Sequence, residues 1–245
     1  MKKLIIPICL LVLVLGIFNL SRLNEKEVFN DKNDISQKYA DILIKKGSEE
    51  KKVIALTFDD GPDGKYTPQI LDILKQNDVK ATFFVVGEMV ETHPEVLKRE
   101  FEEGHEIGNH TFTHMNICND SVEKLNKEFM KTQDLVKKVT GKEPNLFRPP
   151  YRAINENLFN LMKSKGVKVV LWSDFDARDW SNPGVEKIVT TIENNIKNGS
   201  IILLHDYNNV RCDKSQTVKA LERIVPDLKN QGYEFVTISE LIKNK

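Results

Sequence analysis

A chain of 245 residues is long enough for one sizeable domain plus a short extension, the range that single α/β barrels fill. Its 36 Lys and Arg balance 36 Asp and Glu, which excludes a net field drawing it to nucleic acid and makes a neutral polymer or a mixed-charge surface the easier partner. Three cysteines, Cys9, Cys118 and Cys212, are too few and too scattered for a disulfide framework or a zinc finger; Cys118 and Cys212 are the one pair that could bridge in the folded domain, and free thiols are favoured over that bridge.

The N-terminus opens with Lys2 and Lys3 ahead of an almost unbroken apolar run from Leu4 to Leu20, the charged flank and apolar centre of an export signal. No pair of small residues before Ser21 offers a cleavage site, so residues 1–22 read as a signal anchor in preference to a removed signal peptide. That places the protein outside the cytoplasm, anchored at the cell surface through this segment, or secreted if the signal is cleaved. Cys9 follows Ile6, Pro7 and Ile8, which lack the small residue of a lipoprotein site. Residues 23–50 are charged and polar and read as a stalk, in which Ile35, Tyr39, Ile42, Leu43 and Ile44 suggest a short amphipathic helix. Residues 51–245 form the remaining domain, with no internal repeat.

From residue 52 onward β-rich runs alternate with helix-length amphipathic stretches. Strands are predicted over 53–58, 81–86, 106–108, 145–147, 167–171, 200–204 and 234–237. Helices are predicted over 67–76, 94–103, 121–140, 155–165, 185–197 and 215–230, with Gly141 stopping the third. This repetition implies a parallel sheet, either closed as a barrel or open and doubly wound. Polar clusters follow the strands throughout, which favours a barrel with its site at the strands' C-terminal ends; an open sheet would also bind ligands there.

Five such clusters carry the chemistry. In Thr57-Phe58-Asp59-Asp60-Gly61-Pro62 the Gly-Pro pair turns the chain away and leaves two carboxylates at a strand end, one able to ligate a cation while the other faces a water. In His110-Thr111-Phe112-Thr113-His114 the spacing of four can put both imidazoles on one side of a helical turn or tight loop. Two His and one carboxylate make a facial triad with open positions; zinc fits it, and so do iron, cobalt and nickel. The remaining clusters are Arg148-Pro149-Pro150-Tyr151, Asp176-Ala177-Arg178-Asp179-Trp180 and Leu203-Leu204-His205-Asp206. His105, in a Gly-His-Glu-Ile-Gly approach, reads as structural, and Trp172 as a core residue more than a sugar platform.

The five clusters in this order and spacing closely resemble the polysaccharide deacetylases, carbohydrate esterase family 4 or the NodB homology domain, over about residues 53–241. The resemblance implies a distorted (β/α)7-type, TIM-like barrel that removes acetyl groups from polysaccharides with a divalent metal, Zn2+ first and Co2+ or Ni2+ as alternatives. It implies Asp59 as general base, Asp60, His110 and His114 as metal ligands, and Arg148 as the cation holding Asp59 ionised. It also implies a backbone N–H at Tyr151 for the oxyanion, His205 as general acid paired with Asp179, and Trp180 and Leu203 as walls around the acetyl methyl. A glycine usually follows the Tyr of the third motif, whereas this chain has Arg152, a cation that would either narrow the groove, contact an acidic group on the substrate or point to solvent.

The anchor, the short stalk and the absence of a recognisable carbohydrate-binding module point to an acetylated polysaccharide close to the membrane, with peptidoglycan N-acetylglucosamine favoured over chitin oligomers, acetylxylan and a spore-cortex muramic acid residue. A monomer is expected, with no nucleic-acid partner. The alternative from another class is a catalytically silent sugar-binding or scaffold domain, which would be expected to lack the base, a ligand or the acid; Asp59, Asp60, His110, His114 and His205 are all present.

Overall fold

The computed structural model describes residues 35–207 and 214–243. The apolar run read as an anchor, the first part of the polar stalk (residues 23–34), and Cys9 and Cys212 lie outside the described residues, among which no helix is long and apolar enough to cross a membrane. Cys118 is a free, exposed thiol. The chain divides into two compact units, residues 1–41 and 42–245. In the first, the described residues make one helical turn, in which the Tyr39 N–H donates to Ile35 O at 3.1 Å.

The amphipathic helix expected to run on to Ile44 is therefore not formed. Leu43 and Ile44 are instead a buried strand, β1 (Leu43–Ile44). Three consecutive apolar residues cannot share one face of a helix, but they suit a strand covered on both sides.

The second unit is built on parallel strands: β2 (Val53–Asp59), β3 (Thr82–Val85), β4 (Glu106–Asn109), β5 (Leu146–Phe147), β6 (Lys168–Val170), β7 (Ile201–His205) and β8 (Glu234–Phe235). The order across the sheet is β1-β6-β5-β4-β3-β2-β7, with β8 paired to the start of β2, and every pairing is parallel. The edges curl toward each other. Past β1, the Gly47 N–H donates to Gly199 O at 2.8 Å; past β6, the Ser173 N–H donates to Ile201 O at 3.1 Å. The result is an α/β part-barrel in which these loop contacts stand where a continuous ladder would close the ring.

Helices α1 (Tyr66–Gln76), α2 (Gly87–Thr92), α3 (Pro94–Glu102), α4 (Val122–Thr140), α5 (Glu156–Ser164), α6 (Val185–Asn195), α7 (Ser215–Asn230) and α8 (Ile238–Lys243) follow the strands. The predicted helices match within two residues at each end, and their caps explain why. Ser121 Oγ accepts the Lys124 N–H at the start of α4, and Gly141, at φ 77°, ends it. The six-residue helices α2 and α8 were not predicted, being too short to show a helical period.

Strand β2 sets the layout. Ile54, Leu56 and Phe58 pack outward against Ile70, Leu71 and Leu74 of α1 and Leu221 and Ile224 of α7, while Val53 and Ala55 belong to an inner cluster with Phe84, Leu146, Val170 and Ile201. The two-residue period of a strand then points Thr57 and Asp59 inward as well. Because all strands run the same way, Asp59, Asn109, Phe147 and His205 end at one rim.

Candidate active site

At that rim Asp59 is the last residue of β2 and is buried. Arg148, one residue past β5, donates from Nη1 to Asp59 Oδ1 at 2.6 Å and to Thr57 Oγ1 at 2.8 Å, so it reads both inward positions of β2. Its guanidinium is fully buried, lies 4.0 Å over the Phe84 ring and leaves Nη2 without a partner among the described residues. Burial pushes the Asp59 carboxyl above its ordinary value; Arg148 and the more distant His205 oppose that rise without cancelling it. A carboxylate held in this balance stays paired with a cation yet more basic than an ordinary one, as a proton acceptor requires.

Asp60 follows at φ 80°, which turns its side chain away from that of Asp59. The turn is held from behind by Asp206. Its carboxylate accepts the Gly61 N–H at 3.1 Å and the Thr67 hydroxyl at 2.6 Å, and its own N–H donates to Asp59 O at 3.2 Å. A Cβ at Gly61 would sit 2.1 Å from Asp206 Oδ2, so any other residue here would displace the carboxylate that holds the turn.

The histidine pair lies on a tight loop after β4, not on a helical turn. Thr111 and His114 both have positive φ, 68° and 56°. Glu128 of α4 braces the loop by accepting the Phe112 N–H at 3.0 Å and the Thr113 N–H at 2.7 Å. His110 Nδ1 is 2.6 Å from Arg148 O, which only an N–H can satisfy, so Nε2 carries the lone pair. Burial, then the neighbouring His114, pushes His110 down to about 3, keeping it neutral. His114 Nδ1 meets the Tyr151 hydroxyl at 3.1 Å, with the two rings edge to face. Both Nε2 atoms turn toward Asp60 Oδ1, at 3.5 Å from His110 and 3.3 Å from His114.

His205 ends β7 opposite Asp59. Its Nδ1 is 2.7 Å from Asp179 Oδ1, and its backbone N–H donates to Asp179 Oδ2 at 3.0 Å. Asp179 is fully buried, also accepts the Thr217 hydroxyl at 2.8 Å and has Lys214 Nζ at 3.7 Å. Burial alone would lower His205, but the charge and hydrogen bond of Asp179, with Asp60 and Asp59 behind them, outweigh it and lift the imidazole to about 9. Burial likewise would raise Asp179, and His205, Lys214 and Thr217 reverse that to about 2.

These groups floor one cleft of about 760 Å³, whose walls include Met89, Tyr151, Trp180, Leu203, Trp172 and Arg152. The structure thus brings together Asp59, Asp60, His110, His114, His205, Tyr151, Trp180 and Leu203 on the cleft, with Arg148 and Asp179 directly behind it. Tyr151 has a side-chain contact that the sequence reading did not foresee, its hydroxyl on His114. Trp172 packs on the inner cluster as expected but also lines the cleft, under the Arg152 guanidinium at 4.8 Å. His105 is structural: buried, its Nδ1 accepts the Ala81 N–H at 3.1 Å, and burial followed by Lys80 pushes it down to about 4. The bracing residues Asp206, Glu128, Thr217 and Lys214 were missed. Only Asp206 carried a signal, as the last member of a recognised cluster.

Comparison with known proteins places this geometry among relatives. A family model described as polysaccharide deacetylase matches residues 46–170. The chain is 51% identical over 196 residues to a peptidoglycan-N-acetylglucosamine deacetylase of Bacillus cereus, covering 80% of this chain and 90% of that protein. It is 42% identical over 191 residues to the peptidoglycan-N-acetylmuramic acid deacetylase PdaC of Bacillus subtilis, covering 78% of this chain and 39% of that one. Among solved structures, a peptidoglycan N-acetylglucosamine deacetylase in complex with a naphthyl N-hydroxybenzamide matches with a TM-score of 0.80 at 37% identity, over 83% of this chain and 94% of the other.

Proposed function

This chain belongs to the polysaccharide deacetylase family, hydrolases of carbohydrate esterase family 4, and from that premise we propose that it removes N-acetyl groups from peptidoglycan N-acetylglucosamine. The observation that carries the reading is the convergence on one cleft of an Arg-held carboxylate, an Asp/His/His set and an Asp-paired histidine.

The donor set fits a divalent metal. Asp60 Oδ1 is buried without a hydrogen-bond partner among the described residues, and Asp60, His110 and His114 offer ligand atoms within 4.8 Å of one another. Each histidine has its Nδ1 occupied and its Nε2 turned toward Asp60, as a ligand set held by outer partners requires. Two imidazoles and one carboxylate suit Zn2+, with Co2+ or Ni2+ as alternatives. When bound, such a metal makes water more acidic and polarises a carbonyl.

The chain's own residues divide the remaining work. Asp59, kept ionised by Arg148 and kept basic by burial, takes a proton from the attacking water as the new C–O bond forms. A backbone N–H at Tyr151 faces the oxyanion of the tetrahedral intermediate. His205, protonated at neutral pH because of Asp179, gives its proton to the nitrogen as the C–N bond breaks, so that a neutral amine departs. Leu203 and Trp180 supply apolar wall for the acetyl methyl. Substrate choice is supported by the B. cereus relative, which is named for peptidoglycan N-acetylglucosamine, and by the apolar N-terminal run, which would hold the domain at the outer face of the membrane through residues 1–22 and a short stalk.

The test is acetate release measured side by side on N-acetylated peptidoglycan, chitooligosaccharides and acetylxylan, with metal-stripped protein and with added Zn2+, Co2+ or Ni2+. The reading expects metal-restored release that is fastest on peptidoglycan. Release from xylan alone, or none from any substrate, overturns it.

A further inference from the structure

Arg152 departs from the glycine that usually follows the third motif, and its backbone records a cost. Tyr151 and Arg152 stand consecutively at φ 59° and 56°, a conformation that a residue with a Cβ enters at about 1–2 kcal/mol. Such strain persists where the surroundings over-determine it, and it gathers at binding sites. The side chain it places is half-buried on the wall of the cleft, with its guanidinium 4.8 Å over the face of Trp172. Trp172 is itself fixed, packed against the inner core cluster. The cation–π contact holds the guanidinium against the indole, and a guanidinium held by its face keeps its N–H donors for another partner.

Arg152 forms no ion pair among the described residues, in contrast to Arg148, Arg99 and Arg223, each of which holds a carboxylate at 2.6–2.7 Å. Asp174 and Asp176 are near enough to favour its charge but do not reach it. A guanidinium anchored on Trp172, without an ion pair among the described residues and lining the same cleft as Asp59 and His205, is the donor half of a bidentate carboxylate site.

We propose that Arg152, seated on Trp172, is a specificity residue that binds a carboxylate carried by the glycan beside the acetamide being hydrolysed. This rests on the deacetylase reading for its substrate class, since peptide-substituted glycan strands bear such carboxylates while chitin oligomers bear none. A carboxylate docked there pairs a half-desolvated cation and fixes the position of the strand relative to the reacting carbonyl.

The experiment compares N-acetylated peptidoglycan fragments bearing free peptide carboxylates with the same fragments after carboxyl amidation, at low ionic strength. Two readouts are taken: kcat/KM for acetate release, and affinity for the metal-free protein by calorimetry. Wild type should favour the free-carboxylate fragments about tenfold in both. Arg152→Gly, which suits the positive φ and relaxes the backbone, should bring the ratio near one, and Arg152→Lys should keep part of it, a point charge without the fork. An equal ratio in wild type and Arg152→Gly, or no preference in wild type, overturns the proposal. If no substrate releases acetate, the deacetylase reading falls, and the affinity ratio still decides the role of Arg152.

Discussion

Asp179→Asn removes the charge beside His205 while keeping the shape of the side chain. Wild-type Asp179 touches the imidazole at 2.7 Å and the His205 backbone N–H at 3.0 Å, and it is the principal reason that the histidine sits at about 9 despite burial. With that charge gone, burial returns His205 to its ordinary 6.5 or lower, a fall of about 2.5 units worth about 3 kcal/mol. At pH 8 the protonated fraction then drops from about nine-tenths to a few per cent, so kcat should fall about thirtyfold, whereas at pH 6 the two enzymes should nearly agree. The assay is acetate release across pH at saturating metal, with the alkaline limb expected to move from near pH 9 to near pH 6.5. Stability should respond in a different window. The raised His205 contributes fully below 6.5 and loses its contribution as pH rises through 9; the depressed Asp179 contributes above 3.8 and loses it as pH falls toward 2. The variant should therefore be most destabilised between about pH 4 and 6.5, where its activity is least affected. An alkaline limb that stays near pH 9, or an equal loss of activity at pH 6 and pH 8, would mean that Asp179 does not set the protonation of His205.

Asp60→Ala and His114→Ala should each weaken metal binding by more than about 100-fold in a chelator titration, while Tyr151→Phe, which removes only the hydroxyl on His114, should cost about tenfold. Arg148→Met strands the buried Asp59 carboxylate. It should destabilise the fold by about 3–5 kcal/mol in urea unfolding and move the acidic limb of the rate profile to higher pH, so that activity is lost more at pH 6 than at pH 8. Glu100, fully buried on α3 with neither oxygen hydrogen-bonded among the described residues, is held well above its ordinary value by burial and then by the charge of Asp206. A raised carboxyl loses stability as pH climbs above its unfolded value, so the advantage of Glu100→Gln over wild type in urea unfolding should widen from pH 5 to pH 8 by up to about 1.4 kcal/mol per unit; a constant difference would contradict the assignment.

Most strands and helices were legible because parallel strands read as apolar runs and the longer helices carry caps, as Ser121 and Gly141 do for α4. The strand at Leu43–Ile44 was not, because its pairing partner lies more than a hundred residues downstream in β6 and nothing local marks it. The site divides along the same line. Asp59, Asp60, His110, His114 and His205 follow strands and sit in recognisable clusters, whereas Glu128 lies inside a helix and braces the histidine loop across the fold. Trp172 read as core because an aromatic after a buried strand generally is; its second face, under Arg152, depends on where the loop at 150–152 passes. Long-range side-chain partners of this kind have no period or spacing to betray them.

In the proposed mechanism Asp59 moves the proton while Asp60 and the two histidines hold the metal. Metal content and acetate release from N-acetylated peptidoglycan, measured together in Asp59→Asn, separate these roles. Asp59→Asn should keep a wild-type metal complement with turnover reduced at least about a hundredfold. Retained turnover, or metal lost along with it, would contradict the division of roles between the two aspartates.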